Sequence, residues 1–263
     1  MTTAIDRFTL AIGRTGFYSP PPMPLLDMFS AEGKIRRLTK KITEKYGPPE
    51  NRQKAIETLA SMDTAEAWSA LLMRFTINSD PSITDAEEKQ HVFELVVGAG
   101  DKTVGPLEDF LRKQDSVSWS LRALIELLPH AEVTDLVLGE LARIGPEYTR
   151  DPEKKIQLLT WLAEHPGEAP HPRLGETLIP FLEDMSDDVK LAAARTLTQA
   201  KVEAAREPML AALVAPEQSA RVRQNLLGAL ADLGFGVQGY REKVEALVVE
   251  PYYVDKSGVV KRR

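Results

Sequence analysis

From Ser186 to Lys201 the chain alternates apolar and polar residues with a helical rhythm. With Val189 as position zero, Ala193, Thr196 and Leu197 follow at +4, +7 and +8, all on one helical face. Lys190, at +1, lies off that stripe, where its charge can reach solvent or a neighbouring element. Between Ser219 and Gly234 the pattern returns as Val222, Leu226, Ala229 and Leu230, again with a basic residue, Arg223, at +1. Further copies open at Asn51, Glu88, Trp119 and Lys154, and the six starts are 37, 31, 35, 35 and 33 residues apart. Near-even spacing of that length marks an internal repeat.

A second helix fits into each interval. Pro106, Pro180 and Pro208 stand ahead of apolar residues at +1 and +5, such as Leu107 and Leu111 or Met209 and Leu213. Proline suits a first helical turn, where its missing N–H costs nothing, so these prolines predict helix starts or kinks. The stretches "GAGDK", "LPHAE", "HPGEAPHP" and "SDD" supply breakers and N-caps between helices. "GFGVQG", Gly234 to Gly239, has the glycine spacing of a dinucleotide-binding loop. That loop needs a strand before it, and here a helix precedes it, so Gly234 reads as a helix stop.

The predicted fold is all-α, with about six helical hairpins over residues 47–250. Before them, residues 1–29 form an N-terminal arm, with "DRFTLAIG" as a possible strand and "YSPPPMPLL" as an extended proline-rich linker. Residues 30–46 read as a basic capping helix: Ile35, Leu38 and Ile42 make a narrow apolar stripe among Lys34, Arg36, Arg37, Lys40 and Lys41. The tail, 251–263, has the form of a β-hairpin turning at Asp255-Lys256-Ser257-Gly258 and is expected to cap the last repeat or to extend a partner's sheet.

"DDVKLAAARTL" and "ARVRQNLLGALADLG" resemble the first-helix pattern of the HEAT-repeat family in its short bacterial form, and "IPFLEDMSDD" resembles its second helix running into the next turn. The resemblance is good over 151–248, weaker over 51–143, and absent at both ends. It implies paired helices stacked into a right-handed α-solenoid, with second helices lining a concave face. It also implies that the basic residues at +1 pair with turn acids of neighbouring repeats, a ladder that Ser120 breaks in the third unit.

Composition narrows the roles. With no cysteine among 263 residues there is no disulfide, thiolate zinc site or cysteine nucleophile. No apolar run is long enough to cross a bilayer, and Asp6 and Arg7 interrupt the first apolar stretch, which makes a poor signal peptide; a cytoplasmic protein is expected. The net charge of −6 is uneven: residues 1–46 hold eight Lys/Arg against four Asp/Glu, residues 251–263 four against one, and the stretch between them 21 against 34. An acidic body argues against a nucleic-acid groove along it, while the basic ends remain candidates for an anionic surface or nucleic acid.

Candidate chemistry is sparse. Of the four histidines, His91, His130, His165 and His171, the last two sit in "EHPGEAPHPR" with Glu164 and Glu168; a proline-broken loop does not fix ligands at tight spacing, so they read as solvated turn residues rather than a metal site. Trp119 and Trp161 fall at core positions of first helices, and Trp68 can face either way. No phosphate loop, metalloprotease helix, nucleophile elbow or paired catalytic carboxylate stands out. The expectation is a non-enzymatic scaffold or adaptor without a cofactor, holding a macromolecule and in the first place a protein. Glu66, Glu108, Glu140, Glu176, Glu207 and Glu242 of the second helices would attract a basic segment, with Lys34, Arg36, Arg37, Lys40 and Lys41 as a second contact. The alternatives left open are an enzyme similar to the HEAT-like alkylpurine DNA glycosylases or bilin lyases, and a self-assembling structural protein.

Overall fold

The computed structural model describes residues 30–263, so the expected N-terminal arm and proline-rich linker lie outside the described residues. Helix α1 (Ala31–Ile42) opens on Ser30, whose side chain accepts a hydrogen bond from the Gly33 N–H at 3.0 Å. Glu32 in its first turn and Lys40 and Lys41 in its last complement the helix dipole. Ile42 is fully buried and Ile35 and Leu38 pack beside it, which docks α1 on the helices that follow, as its stripe predicts.

Six helical hairpins come next: α2 (Pro49–Met62) with α3 (Ala65–Leu72), α4 (Ser82–Gly98) with α5 (Val104–Lys113), and α6 (Ser118–Leu127) with α7 (His130–Ile144). Then follow α8 (Glu153–Glu164) with α9 (Leu174–Leu178), α10 (Asp187–Gln199) with α11 (Arg206–Val214), and α12 (Ala220–Leu233) with α13 (Arg241–Leu247). Strands β1 (Tyr252–Val254) and β2 (Val260–Arg262) close the chain as an antiparallel hairpin with Tyr252 opposite Arg262. The described residues are thus mostly helical, with a two-stranded sheet at the C-terminus.

All six repeat starts fall in the first helix of a hairpin. The +4 and +8 positions carry the core: Ala55 and Leu59, Val92 and Val96, Leu158 and Leu162, Ala193 and Leu197, and Leu226 and Leu230 are all buried. In α6 only Ala123 is fully buried there, while Leu127 packs at the margin of the core. Pro106 and Pro208 lie in the opening turns of α5 and α11. Pro180 instead sits where α9 tightens into a 3₁₀ turn over Ile179–Glu183, a kink rather than a start. Gly234 ends α12 with φ +66°, a left-handed stop that glycine reaches without Cβ strain.

First helices touch first helices (α2 with α4, α4 with α6, α8 with α10, α10 with α12), and second helices touch along the chain, α3 with α5, α7 with α9 and α11 with α13. The third and fourth hairpins meet through α7, which packs on both α6 and α8. Here the +1 residues depart from expectation. Arg52, Lys89 and Lys155 do not stay off the core but are buried, because a long alkyl stem can cross the apolar layer and place its charge on a buried acceptor beyond it. Arg52 reaches Glu88 of the second hairpin at 2.9 Å, and Lys155 reaches Asp184, at the end of the fourth hairpin, at 2.7 Å. Lys190 donates to the Gln218 side-chain oxygen at 3.0 Å, and Arg223 to the Ala215 carbonyl at 2.9 Å. Ser120 turns back to its own Val117 carbonyl, leaving the third unit without this link.

In the first two hairpins these contacts form a buried ionic cluster. Arg74 donates to Glu88 and to Asp85 at 2.8 and 2.6 Å, and Lys89 pairs with Asp85 at 2.8 Å. Burial alone would raise the Asp85 pKa, but hydrogen bonds from Lys89, Arg74 and the Ser79 N–H outweigh it and hold the carboxyl at about 2.

Two candidate binding surfaces

The glutamates expected to meet a partner do not share one environment. Glu66 on α3, Glu176 on α9 and Glu242 on α13 are exposed and Glu108 on α5 is half-buried; none of the four has a hydrogen bond or ion pair within the described residues. Glu140 departs from the expected row. It is buried on α7, paired with Lys154 and Arg143 at 2.6 Å each. Burial pushes its carboxyl up, and the hydrogen bonds from Arg143 and Lys154 overcome this and hold it below its ordinary value. Glu207 is exposed but paired with the adjacent Arg206. The structure therefore separates four open acids from two that serve the fold.

Lys34, Arg36, Arg37, Lys40 and Lys41 all lie exposed on α1, on the side away from its docked stripe. Trp68 and Trp161 are buried, whereas Trp119 is only half-buried: it stacks on Phe75 at 5.5 Å, and the Arg122 guanidinium lies 4.5 Å from its ring centre. His165 corrects the expectation of a solvated turn residue, and His130 joins it. They stack on Trp161 at 4.6 and 5.9 Å, and His130 Nε2 lies 2.9 Å from the His165 carbonyl oxygen, tying the loop after α8 to α7.

A second surface had no counterpart in the sequence reading. A groove of about 460 Å³ crosses α8, α10 and α12 and ends against the C-terminal hairpin. Ala163, Ala192 and Gly228 leave room along it, while Arg195, Gln199, Asn225 and Asp232 bring polar groups to it. Glycine in a helix interior costs roughly 0.5–1 kcal/mol against alanine, and here the position has a geometric reason. A Cβ at Gly228 would stand 2.9 Å from the Tyr252 hydroxyl. Its absence lets β1 lean onto α12, where Arg262 donates to that hydroxyl at 3.2 Å and lies 3.7 Å from Asp232. The tail thus packs on the last hairpin and walls the groove, with Val260 fully buried beneath it. Gly228, at +6 of the sixth unit, is the residue whose missing side chain admits this contact.

No family model and no curated protein matches the chain. Among solved structures it is similar to human deoxyhypusine hydroxylase in complex with glycerol, at 16 % identity and a TM-score of 0.33, over 81 % of this chain and 94 % of that one. The expectation of a chain without enzymatic activity is withdrawn on this finding, since the protein matched is a hydroxylase. At this TM-score the match assigns no activity to the chain either. No helix among the described residues is long and apolar enough to cross a membrane.

Proposed function

We propose that the chain is a HEAT-like, right-handed α-solenoid that holds a protein partner through a basic segment of that partner. Support for the architecture comes from the repeat spacing of 31–37 residues, the contacts between successive first helices, and the ion pair by which Arg52 of the first unit binds Glu88 of the next. A two-helix unit cannot bury both faces alone, so each hairpin completes its core against its neighbours, with α1 and the terminal hairpin as caps.

The observation that carries the partner reading is the set of four second-helix glutamates without an internal cation, Glu66, Glu108, Glu176 and Glu242, in a body that is strongly acidic between residues 47 and 250. Carboxylates that serve the fold are paired here, as Glu140 and Glu207 show. Open ones in an acidic body attract a basic segment and steer its approach.

The test is capture from native lysate, with and without nuclease, by the wild-type chain and by a variant carrying E66Q, E108Q, E176Q and E242Q together. The expected result is one protein retained in the presence of nuclease, weakened by added salt, and lost with the fourfold variant. Capture that disappears with nuclease, or that the variant retains in full, would overturn the reading.

A further inference from the structure

The groove across α8, α10 and α12 lies on first helices, apart from the second-helix glutamates. We propose that it binds a small organic ligand carrying one oxyanion group, a phosphate or a carboxylate, held by Arg195 with Arg262 at the hairpin wall. Arg195 lines the groove and has no hydrogen bond or ion pair among the described residues. Its guanidinium presents a planar fork of donors matched to a two-oxygen acceptor. Asp232 is the carboxylate lining the groove, and Arg262 already lies 3.7 Å from it. Two guanidiniums against one carboxylate leave one positive charge for a ligand to balance.

The neutral groups fit the same chemistry. The side-chain amides of Gln199 and Asn225 line the groove without internal partners and can donate to an oxyanion or accept from the ligand body. Ala192 and Gly228 keep the floor low enough for that body to approach the helices. A volume of about 460 Å³ exceeds what a bare anion fills and falls within the range of small-ligand sites.

The test is an amide NMR titration of the full chain with inorganic phosphate and, separately, with succinate, at constant ionic strength set by chloride. The expected result is a saturable response confined to α10, α12 and the terminal hairpin. Response to phosphate alone identifies a phosphate ester as the ligand class, and response to succinate identifies a carboxylate; both support the site. R195Q should weaken binding by about tenfold or more, and R195K, which keeps the charge without the fork, by less. Because Arg195 has no internal partner, R195Q should melt with the wild type when no ligand is present. The fourfold glutamate variant should titrate like the wild type, which separates this site from the partner surface. Shifts that never saturate with either anion, or an R195Q variant with wild-type affinity, would overturn the proposal.

Discussion

The two halves of the repeat array use the same +1 position differently. In the first two hairpins Arg52 and Lys89 join Arg74 around Asp85 and Glu88, three cations and two carboxylates almost out of water. Toward the C-terminus the nearest acceptor loses charge unit by unit: a lone carboxylate for Lys155, a side-chain amide for Lys190 with Asp187 farther off at 3.8 Å, and a backbone carbonyl for Arg223. The long basic side chain serves for its reach, and it ties each unit to whichever acceptor the adjoining turn offers. What differs is the desolvation cost. A buried ionic cluster adds little net stability when intact and costs much when broken in part, whereas neutral acceptors tolerate loss.

Breaking the apolar core that both halves share has the largest effect. Leu197→Asp places a carboxylate at a fully buried position of the fifth unit and should destabilise by more than about 5 kcal/mol, lowering the melting temperature of the whole chain. Wild-type melting for this variant would mean the helical register is wrong. Next comes Glu88→Gln, which leaves Arg52 and Arg74 short of their shared carboxylate and should cost about 3–5 kcal/mol in a urea titration. Lys190→Met, the matching change in the second half, removes a hydrogen bond to a neutral amide and a longer, solvent-screened pair with Asp187, and should cost only about 1 kcal/mol. Equal losses for E88Q and K190M would erase the contrast between the halves.

Acid acts on the first two hairpins before the rest. The Asp85 pKa is depressed in the fold from an ordinary 3.8 to about 2, so its contribution is fully present above pH 3.8 and is lost as pH falls toward 2. Hydrogen exchange stepped down through this window should show α2 and α4 losing protection before α10 and α12. The smallest effect belongs to the terminal cap. Gly228→Ala should bring no gain in the wild type, because the new methyl meets the Tyr252 hydroxyl, but should stabilise by roughly 0.5–1 kcal/mol in a Tyr252→Phe background.

The helices were legible because each carries its own periodicity. Six first helices, the two prolines in opening turns, the stop at Gly234 and the turn at Gly258, with φ +81°, follow from spacing and local backbone chemistry. The ionic cluster was only half legible. Arg52 and Lys89 occupy template positions, but Arg74 sits in the 3₁₀ turn after α3, where no periodicity announces it. Glu140 looked like its fellow second-helix acids because its burial depends on Lys154, which belongs to the next hairpin. The groove joins helices in three separate hairpins to a strand at the chain terminus, so only packing could assemble it.

In the proposed linear stack each hairpin is coupled chiefly to its neighbours. Hydrogen exchange of Glu88→Gln against wild type at neutral pH tests this coupling most directly. The expected result is lost protection that is greatest in α2 and α4, declines through α6 and α8, and is absent at α12. An equal loss from α2 to α13 would contradict it, because the chain would then open as one globular unit rather than as a stack.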